Sequence, residues 1–228
     1  MDLRSRLADI DARISDAARS AGRDASALTR IVVTKFHPVG LVDELAALGV
    51  RDVGENRQQE LSAKRADYDG PALRWHFIGQ AQTNKARAIR AAADAVHSVD
   101  RAKLADALHN ARSDGDDSVL DVLLQVNLTD DPGRGGVVPA GVAELAEHVL
   151  GTCPSLHLRG VMGVAPLDEA PASAFERLAR TSEIVRRSAP DATWISAGMT
   201  GDFVEAIAAG ATHLRIGSAI TGPRPVHG

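Results

Sequence analysis

Arg30-Ile31-Val32-Val33-Thr34-Lys35 reads as a buried strand that closes on a lysine, and Val39–Leu48 directly after it reads as a helix. This pair is the unit from which the rest of the chain is built. Strand candidates recur at Asp52–Asn56, Trp75–Gly79, Ala95–Val99, Val122–Leu128, Leu158–Gly163, Thr193–Gly198 and His213–Gly217. Helical spacing of apolar residues fills the intervals, as at Arg57–Ala66, Arg101–Ala111, Pro139–Leu150, Ser173–Ser188 and Gly201–Ala209. Eight strands alternating with seven helices imply parallel pairing through right-handed crossovers. The sequence therefore predicts an α/β fold, a single closed (β/α)8 TIM barrel, with an open doubly wound sheet as the alternative. Ahead of the first strand, Leu3, Leu7, Ile10 and Ile14 fall at helical spacing and Gly22 ends the pattern, which adds an N-terminal helix.

The bulk properties agree. The 228 residues are 44% hydrophobic and 25% charged, the balance of an ordinary globular protein, and no linker divides them, so residues 1–228 read as one domain. Ser113–Ser118 and Asp130–Gly136 read as polar loops. A net charge of −4 argues against a general nucleic-acid binder. No apolar run is long enough to span a bilayer, and Met1–Arg6 leads into an amphipathic pattern, not a signal core. Cys153 is the only cysteine, which excludes an internal disulfide and a thiolate zinc cluster. A cytoplasmic protein without membrane or nucleic-acid partners is expected.

The lysines narrow the chemistry. Burying an ammonium is costly and needs a reason. Of the four lysines, Lys64, Lys85 and Lys103 fall in helical segments, where a solvated charge is expected, and only Lys35 ends a buried strand. A desolvated amine can form a Schiff base with an aldehyde. Barrel active sites lie where strands end, and that rule gathers Lys35, Glu55-Asn56-Arg57, His76, Gly79, Gln125, Asn127, Met162, Ser196-Ala197-Gly198-Met199-Thr200, Arg215, Gly217 and Ser218 on one face. Tyr68, the only tyrosine, follows a helix and is expected at the opposite face. The joints after strands seven and eight, Gly198–Asp202 and Gly217-Ser218, expose backbone N–H groups suited to phosphate, although a tight βα connection has the same composition. Arg215 reads either as an internal ion pair, for instance with Glu55, or as a donor to a ligand. His76 reads either as a hydrogen-bonded core residue or as a pocket residue. The remaining histidines, His37, His97, His109, His148, His157, His213 and His227, show no zinc-ligand spacing.

Taken in order, several runs resemble the pyridoxal phosphate homeostasis protein family, related to the N-terminal barrel domain of alanine racemase. They are Val33-Thr34-Lys35, Val53-Gly54-Glu55-Asn56, Trp75-His76-Phe77-Ile78-Gly79, Gln82-Thr83-Asn84-Lys85, His97-Ser98-Val99-Asp100, Gln125-Val126-Asn127, Leu158-Arg159-Gly160-Val161-Met162, Ser196–Asp202 and Arg215–Ala219. The resemblance implies pyridoxal 5′-phosphate (PLP) as cofactor, with Lys35 matching the lysine that holds it as a Schiff base. Ser196, Met199, Thr200, Gly217 and Ser218 match the phosphate-holding segments. Arg215 matches the arginine that faces the pyridine nitrogen, and Asn56 and His76 match residues lining the pocket. Phe36-His37 and Arg134 stand where lysine-containing positions are common among relatives, and Thr221-Gly222 replaces a usual Phe-Gly.

A racemase needs acid/base groups on both faces of the substrate carbon. In alanine racemase the second is a tyrosine from another domain, which the resemblance does not extend to. An arginine at the ring nitrogen also weakens the ring as an electron sink. The expectation is a non-catalytic PLP carrier acting in vitamin B6 homeostasis, a monomer, with PLP-dependent apo-enzymes as recipients. A weak amino-acid racemase and a cofactor-free Schiff-base aldolase are the alternatives.

Overall fold

The computed structural model describes residues 1–224 apart from Asp114, Asp116 and Asp130, with only the backbone of Pro132. Parts of the two expected polar loops, and His227, lie outside the described residues. Eight strands, β1 (Thr29–Val33), β2 (Asp52–Glu55), β3 (Arg74–Phe77), β4 (Ala95–Val99), β5 (Leu120–Gln125), β6 (Leu156–Met162), β7 (Trp194–Ser196) and β8 (His213–Ile216), form a closed barrel in chain order. All pairs are parallel, and β8 returns to β1 with Ile31 opposite Arg215. Closure excludes the open sheet.

Nine α-helices are found among the described residues: α1 (Leu3–Ser20), α2 (Val39–Ala47), α3 (Gln58–Asp67), α4 (Ala86–Ala92), α5 (Ala102–Asn110), α6 (Val142–Thr152), α7 (Pro171–Ser188), α8 (Phe203–Ala208) and α9 (Ser218–Thr221). The Asp2 carboxylate caps α1 by accepting from the Ser5 N–H at 2.7 Å, which satisfies one orphan donor of the first turn. The buried stripe of α1, Leu7, Ile10, Ile14, Ala17 and Ala18, packs on α8 and α9. A four-residue α9 is too short to cover its part of the barrel, and α1 supplies the missing apolar surface. No helix among the described residues is long and apolar enough to cross a membrane.

Strand alternation divides two interiors. Val32, Val53, Trp75, Phe77, Val96, Val122, Leu124, Val161, Leu214 and Ile216 join the helix faces in one continuous apolar cluster. The barrel lumen is instead crossed by polar contacts between strands that are not neighbours. His97 on β4 lies 2.8 Å from Ser196 on β7, and Arg74 on β3 donates to Asp121 on β5. At the N-terminal end of the lumen, the Arg74 and Arg159 guanidinium groups sit 4.7 and 4.4 Å from the Trp194 ring centre, a cation–π plug. Gly160 on β6 has φ 149°, and a Cβ there would fall 1.9 Å from the Trp194 carbonyl oxygen. Only glycine permits that approach, beside the register shift between β5 and β6.

Candidate functional site

A cavity of about 450 Å³ opens at the C-terminal ends of the strands, a size suited to a small cofactor. Its wall takes Lys35, Phe36 and His37 from the β1–α2 turn, Asn56 and Ile78 from the joints after β2 and β3, and Val164 after β6. Met199, Thr200 and Gly201 come from the β7–α8 joint, Gly217 and Ser218 from the start of α9, and Arg224 from the chain beyond it. Arg215 also lines the cavity.

Lys35 does not close the strand as expected. β1 ends at Val33, and although the Thr34 N–H still reaches the Gly54 carbonyl at 3.0 Å, the chain then turns. Phe36 has φ 69°, which costs a non-glycine residue roughly 1–2 kcal/mol. Its neighbours over-determine that turn. The Phe36 N–H donates to Glu60 Oε2 at 2.7 Å, and its ring lies between the guanidinium groups of Arg57 and Arg224, at 4.9 and 4.1 Å. Behind the turn, Lys64 Nζ donates to the Thr34 carbonyl at 2.8 Å and to Glu55 Oε1 at 2.6 Å, and the Thr34 hydroxyl donates to the same carboxylate at 2.6 Å.

These contacts correct the reading of Lys64 as a solvated helix lysine. Its side chain is 8% exposed and that of Glu55 0%, whereas Lys35 is only partly buried. The physical reason is the face of α3: Lys64 follows the buried Leu61 by three residues and so turns toward the barrel. Burial raises the Glu55 carboxyl above its usual range, and Lys64 opposes that rise. The possible ion pair of Arg215 with Glu55 does not form, because Glu55 points outward to α3.

The opposite wall is mainly backbone. The Met199 N–H is taken by Asp202 Oδ1 at 2.6 Å, but the N–H groups of Thr200, Gly201 and Gly217 have no hydrogen-bond partner among the described residues. Asn56 Oδ1 is buried and unpartnered beside the same cavity. Arg215, 5% exposed, donates from Nη1 to Ser196 Oγ at 2.7 Å and from Nη2 to the Gly163 carbonyl at 2.8 Å. Burial lowers its pKa to about 10, so it stays a cation at neutral pH.

Two expected pocket residues lie outside the cavity wall. His76 is 0% exposed, with Nδ1 2.9 Å from His97 Nε2 and Nε2 2.9 Å from Asp52 Oδ1. Ser196, also 0% exposed, spends its hydroxyl between Arg215 and His97. Both point into the lumen, below the cavity, because strand alternation carries them there ahead of the βα joints. Asn127 turns to its own loop, accepting from the Thr129 N–H at 2.9 Å. Arg134 lines a separate cleft with Asp168 and Arg177. Tyr68 lies, as expected, away from the cavity, its hydroxyl donating to the Pro71 carbonyl at 2.7 Å. The sequence assigns no site role to Thr34, Glu60, Lys64, His37, Asp52, His97 or Arg224. Only Lys64 carried a usable sign, its spacing from Leu61.

Residues 6–225 match the family model described as alanine racemase, N-terminal domain. The chain is 39% identical to a pyridoxal phosphate homeostasis protein of Pseudomonas aeruginosa, covering 96% of this chain and 94% of that one. It is 36% identical to a protein of the same name from Mycobacterium leprae, over 97% and 93% of the two. Among solved structures, PipY of Synechococcus elongatus PCC7942, with PLP bound, superposes with a TM-score of 0.81 at 33% identity, covering 97% of this chain and all of that one (100%).

Proposed function

The chain belongs to the pyridoxal phosphate homeostasis protein family, whose barrel is that of the alanine racemase N-terminal domain, and from that premise we propose that residues 1–228 act as one cytoplasmic PLP-binding domain that holds the cofactor on Lys35 without efficient catalysis. The observation that carries the reading is a cavity whose lining holds one lysine together with Thr200, Gly201 and Gly217, whose N–H groups have no hydrogen-bond partner among the described residues, at the joints after β7 and β8. Such donors suit a phosphate monoester, and the unpartnered Asn56 Oδ1 suits a donor group on a bound ring. The residues present therefore fit PLP.

Lys35 would hold the cofactor through its amine. Thr200, Gly201, Gly217 and Ser218 hold the phosphate, and Asn56 and Met199 border the bound molecule. Arg215 offers the ring nitrogen a hydrogen-bond donor in place of an acid. When bound, PLP supplies a reactive aldehyde and an electron-withdrawing ring, and an unprotonated ring nitrogen blunts the second property. Ser196 and His76 act through Arg215 and not by touching the cofactor. Among the described residues, the histidine that lines the cavity with Lys35, His37, comes from the same turn, and Tyr68 is engaged elsewhere. The lining thus offers no tyrosine opposite Lys35 for two-sided proton transfer. The role that fits is reversible storage, with release by amine exchange to apo-enzymes that need PLP.

The test is spectroscopic. Purified protein mixed with PLP is expected to show a visible absorbance band that Lys35→Ala abolishes; an unchanged band in the variant refutes the assignment. Borohydride reduction followed by mass spectrometry should fix pyridoxyl phosphate on Lys35. Substrate carbons at that residue would instead mark a cofactor-free aldolase, and solvent deuterium in an amino acid would mark a racemase.

A further inference from the structure

Arg215 is the first member of a hydrogen-bonded chain that runs down the lumen to the opposite end of the barrel. The links are Arg215 Nη1 to Ser196 Oγ at 2.7 Å, Ser196 Oγ to His97 Nδ1 at 2.8 Å, His97 Nε2 to His76 Nδ1 at 2.9 Å, and His76 Nε2 to Asp52 Oδ1 at 2.9 Å. Its direction is forced by donor chemistry. A guanidinium only donates, so Ser196 Oγ accepts from it, and an ionised carboxylate only accepts, so His76 Nε2 carries a proton toward Asp52; with both rings neutral the hydroxyl proton then goes to His97 Nδ1. That nitrogen is then bare, and the neutral His97 ring carries its proton on Nε2. It donates to His76 Nδ1, which leaves the His76 proton on Nε2, facing the Asp52 carboxylate. Every link is satisfied with both rings neutral.

The competing assignments fail. A protonated His76 would push the His97 proton onto Nδ1, and Ser196 would then face two donors, with no third partner among the described residues to take its own proton. A charged ring would also sit fully buried near Arg74, Arg215 and the His213 ring, with Asp52 and Asp94 as the compensating carboxylates. His213 is outside the chain; its Nδ1 lies 2.8 Å from the Thr212 hydroxyl and its ring stacks on Trp194.

We propose that Asp52, His76, His97 and Ser196 are positioning residues for Arg215: the carboxylate at one end of the barrel fixes two histidine tautomers, and these fix the acceptor that orients the guanidinium beneath the cavity at the other end. The inference rests on the PLP reading for its consequence, but its geometry does not. An apolar filling, the usual content of a barrel lumen, would leave the guanidinium held through the Gly163 carbonyl alone. A buried network completed at every link holds one arrangement.

The experiment has two arms. In the first, ligand-free protein with 15N-labelled histidine is observed by long-range proton–nitrogen NMR. His76 and His97 are expected as neutral Nε2–H tautomers throughout pH 6–9. A protonated ring or an Nδ1–H tautomer at His97 overturns the proposal, and this arm is indifferent to whether PLP binds at all. In the second arm, Ser196→Ala removes the acceptor with little change in volume, and His97→Leu breaks the chain one link further away. Both are expected to weaken PLP uptake about tenfold, from loss of a hydrogen bond to a charged group, and to shift the visible band, with His97→Gln restoring part of each effect. Wild-type affinity and an unshifted band in folded Ser196→Ala overturn the proposal, while failure of the wild-type protein to take up PLP would overturn only the functional reading above.

Discussion

Lys64→Met separates a structural clamp from ordinary packing more sharply than any other substitution. Methionine keeps the apolar stem of the side chain and removes the ammonium, so the bonds to Glu55 at 2.6 Å and to the Thr34 carbonyl at 2.8 Å are lost. Removing one partner of a buried ion pair costs about 3–5 kcal/mol, because the other is left charged and unsolvated. Glu55 is badly placed to absorb that loss. Its side chain is 0% exposed, and Oε2 already lacks a partner. What remains to it is to take up a proton. Its carboxyl is raised mainly by burial, with Lys64 the chief opposing influence, so the variant raises it further. A carboxyl whose folded pKa exceeds its unfolded value contributes stability that is complete below the unfolded pKa and lost as pH rises through the folded one. The deficit of Lys64→Met should therefore grow with pH, by about 1.4 kcal/mol per unit between the folded pKa of Glu55 in the wild type and its higher folded pKa in the variant, level off above that, and shrink toward pH 5. Urea unfolding followed by circular dichroism between pH 5 and pH 9 measures it. Lys64→Met combined with Glu55→Gln, which still accepts from the Thr34 hydroxyl, should recover most of the loss. A deficit under about 1 kcal/mol that ignores pH, or a double variant no more stable than the single one, would refute the buried pair.

Two further outcomes follow from contact geometry. In Gly79→Ala the added Cβ would fall 1.9 Å from the Asn56 carbonyl oxygen, so the backbone beside the cavity must move; a stability loss of about 1–3 kcal/mol is expected by thermal melting, together with weaker PLP uptake. Cys153 is 0% exposed, and burial pushes its thiol up, so iodoacetamide should label native protein slowly at pH 8 and quickly in urea, read by mass spectrometry.

The barrel was legible because its signal is repeated and local. Each strand carries outward apolar residues at alternate positions, and Trp75 and Phe77 flank His76 in the way that Leu214 and Ile216 flank Arg215. Strand ends were less legible. They are set by ladder partners on neighbouring strands, so β1 stopped two residues short of Lys35 while β5 began at Leu120, two residues before its first expected member. The site divided along the same line. Lys35, Asn56, Met199, Thr200, Gly217 and Ser218 sit at βα joints, where topology alone places them, and they border one cavity. His97 and Ser196 are 99 residues apart in the chain, and nothing local announces a contact across a lumen. Lys64 misleads because it lies on a helix, where a solvated charge is the usual reading; only the position of Leu61 shows which face is buried.

The placement of the two cations at the cavity follows one logic carried out twice. Lys35 is reactive only if its amine is free, so it cannot itself be tied down; the chain around it is fixed instead, through the Thr34 carbonyl and the Phe36 N–H, by Lys64 and Glu60 on α3. Arg215 must keep a set orientation while staying charged, and it is held by neutral acceptors, Ser196 Oγ and the Gly163 carbonyl, not by a carboxylate. A buried carboxylate at Arg215 would have cancelled the positive potential that an anionic ligand meets. The far ends of the two networks stand back from the cavity, Glu55 outside the barrel wall and Asp52 at the other end of the lumen, while the carboxylates nearer it, Glu60 and Asp202, accept from backbone N–H groups of the cavity turns. On the reading proposed above, a site arranged in this way would capture an anionic aldehyde without closing over it, and an open mouth is what exchange with a second amine would require.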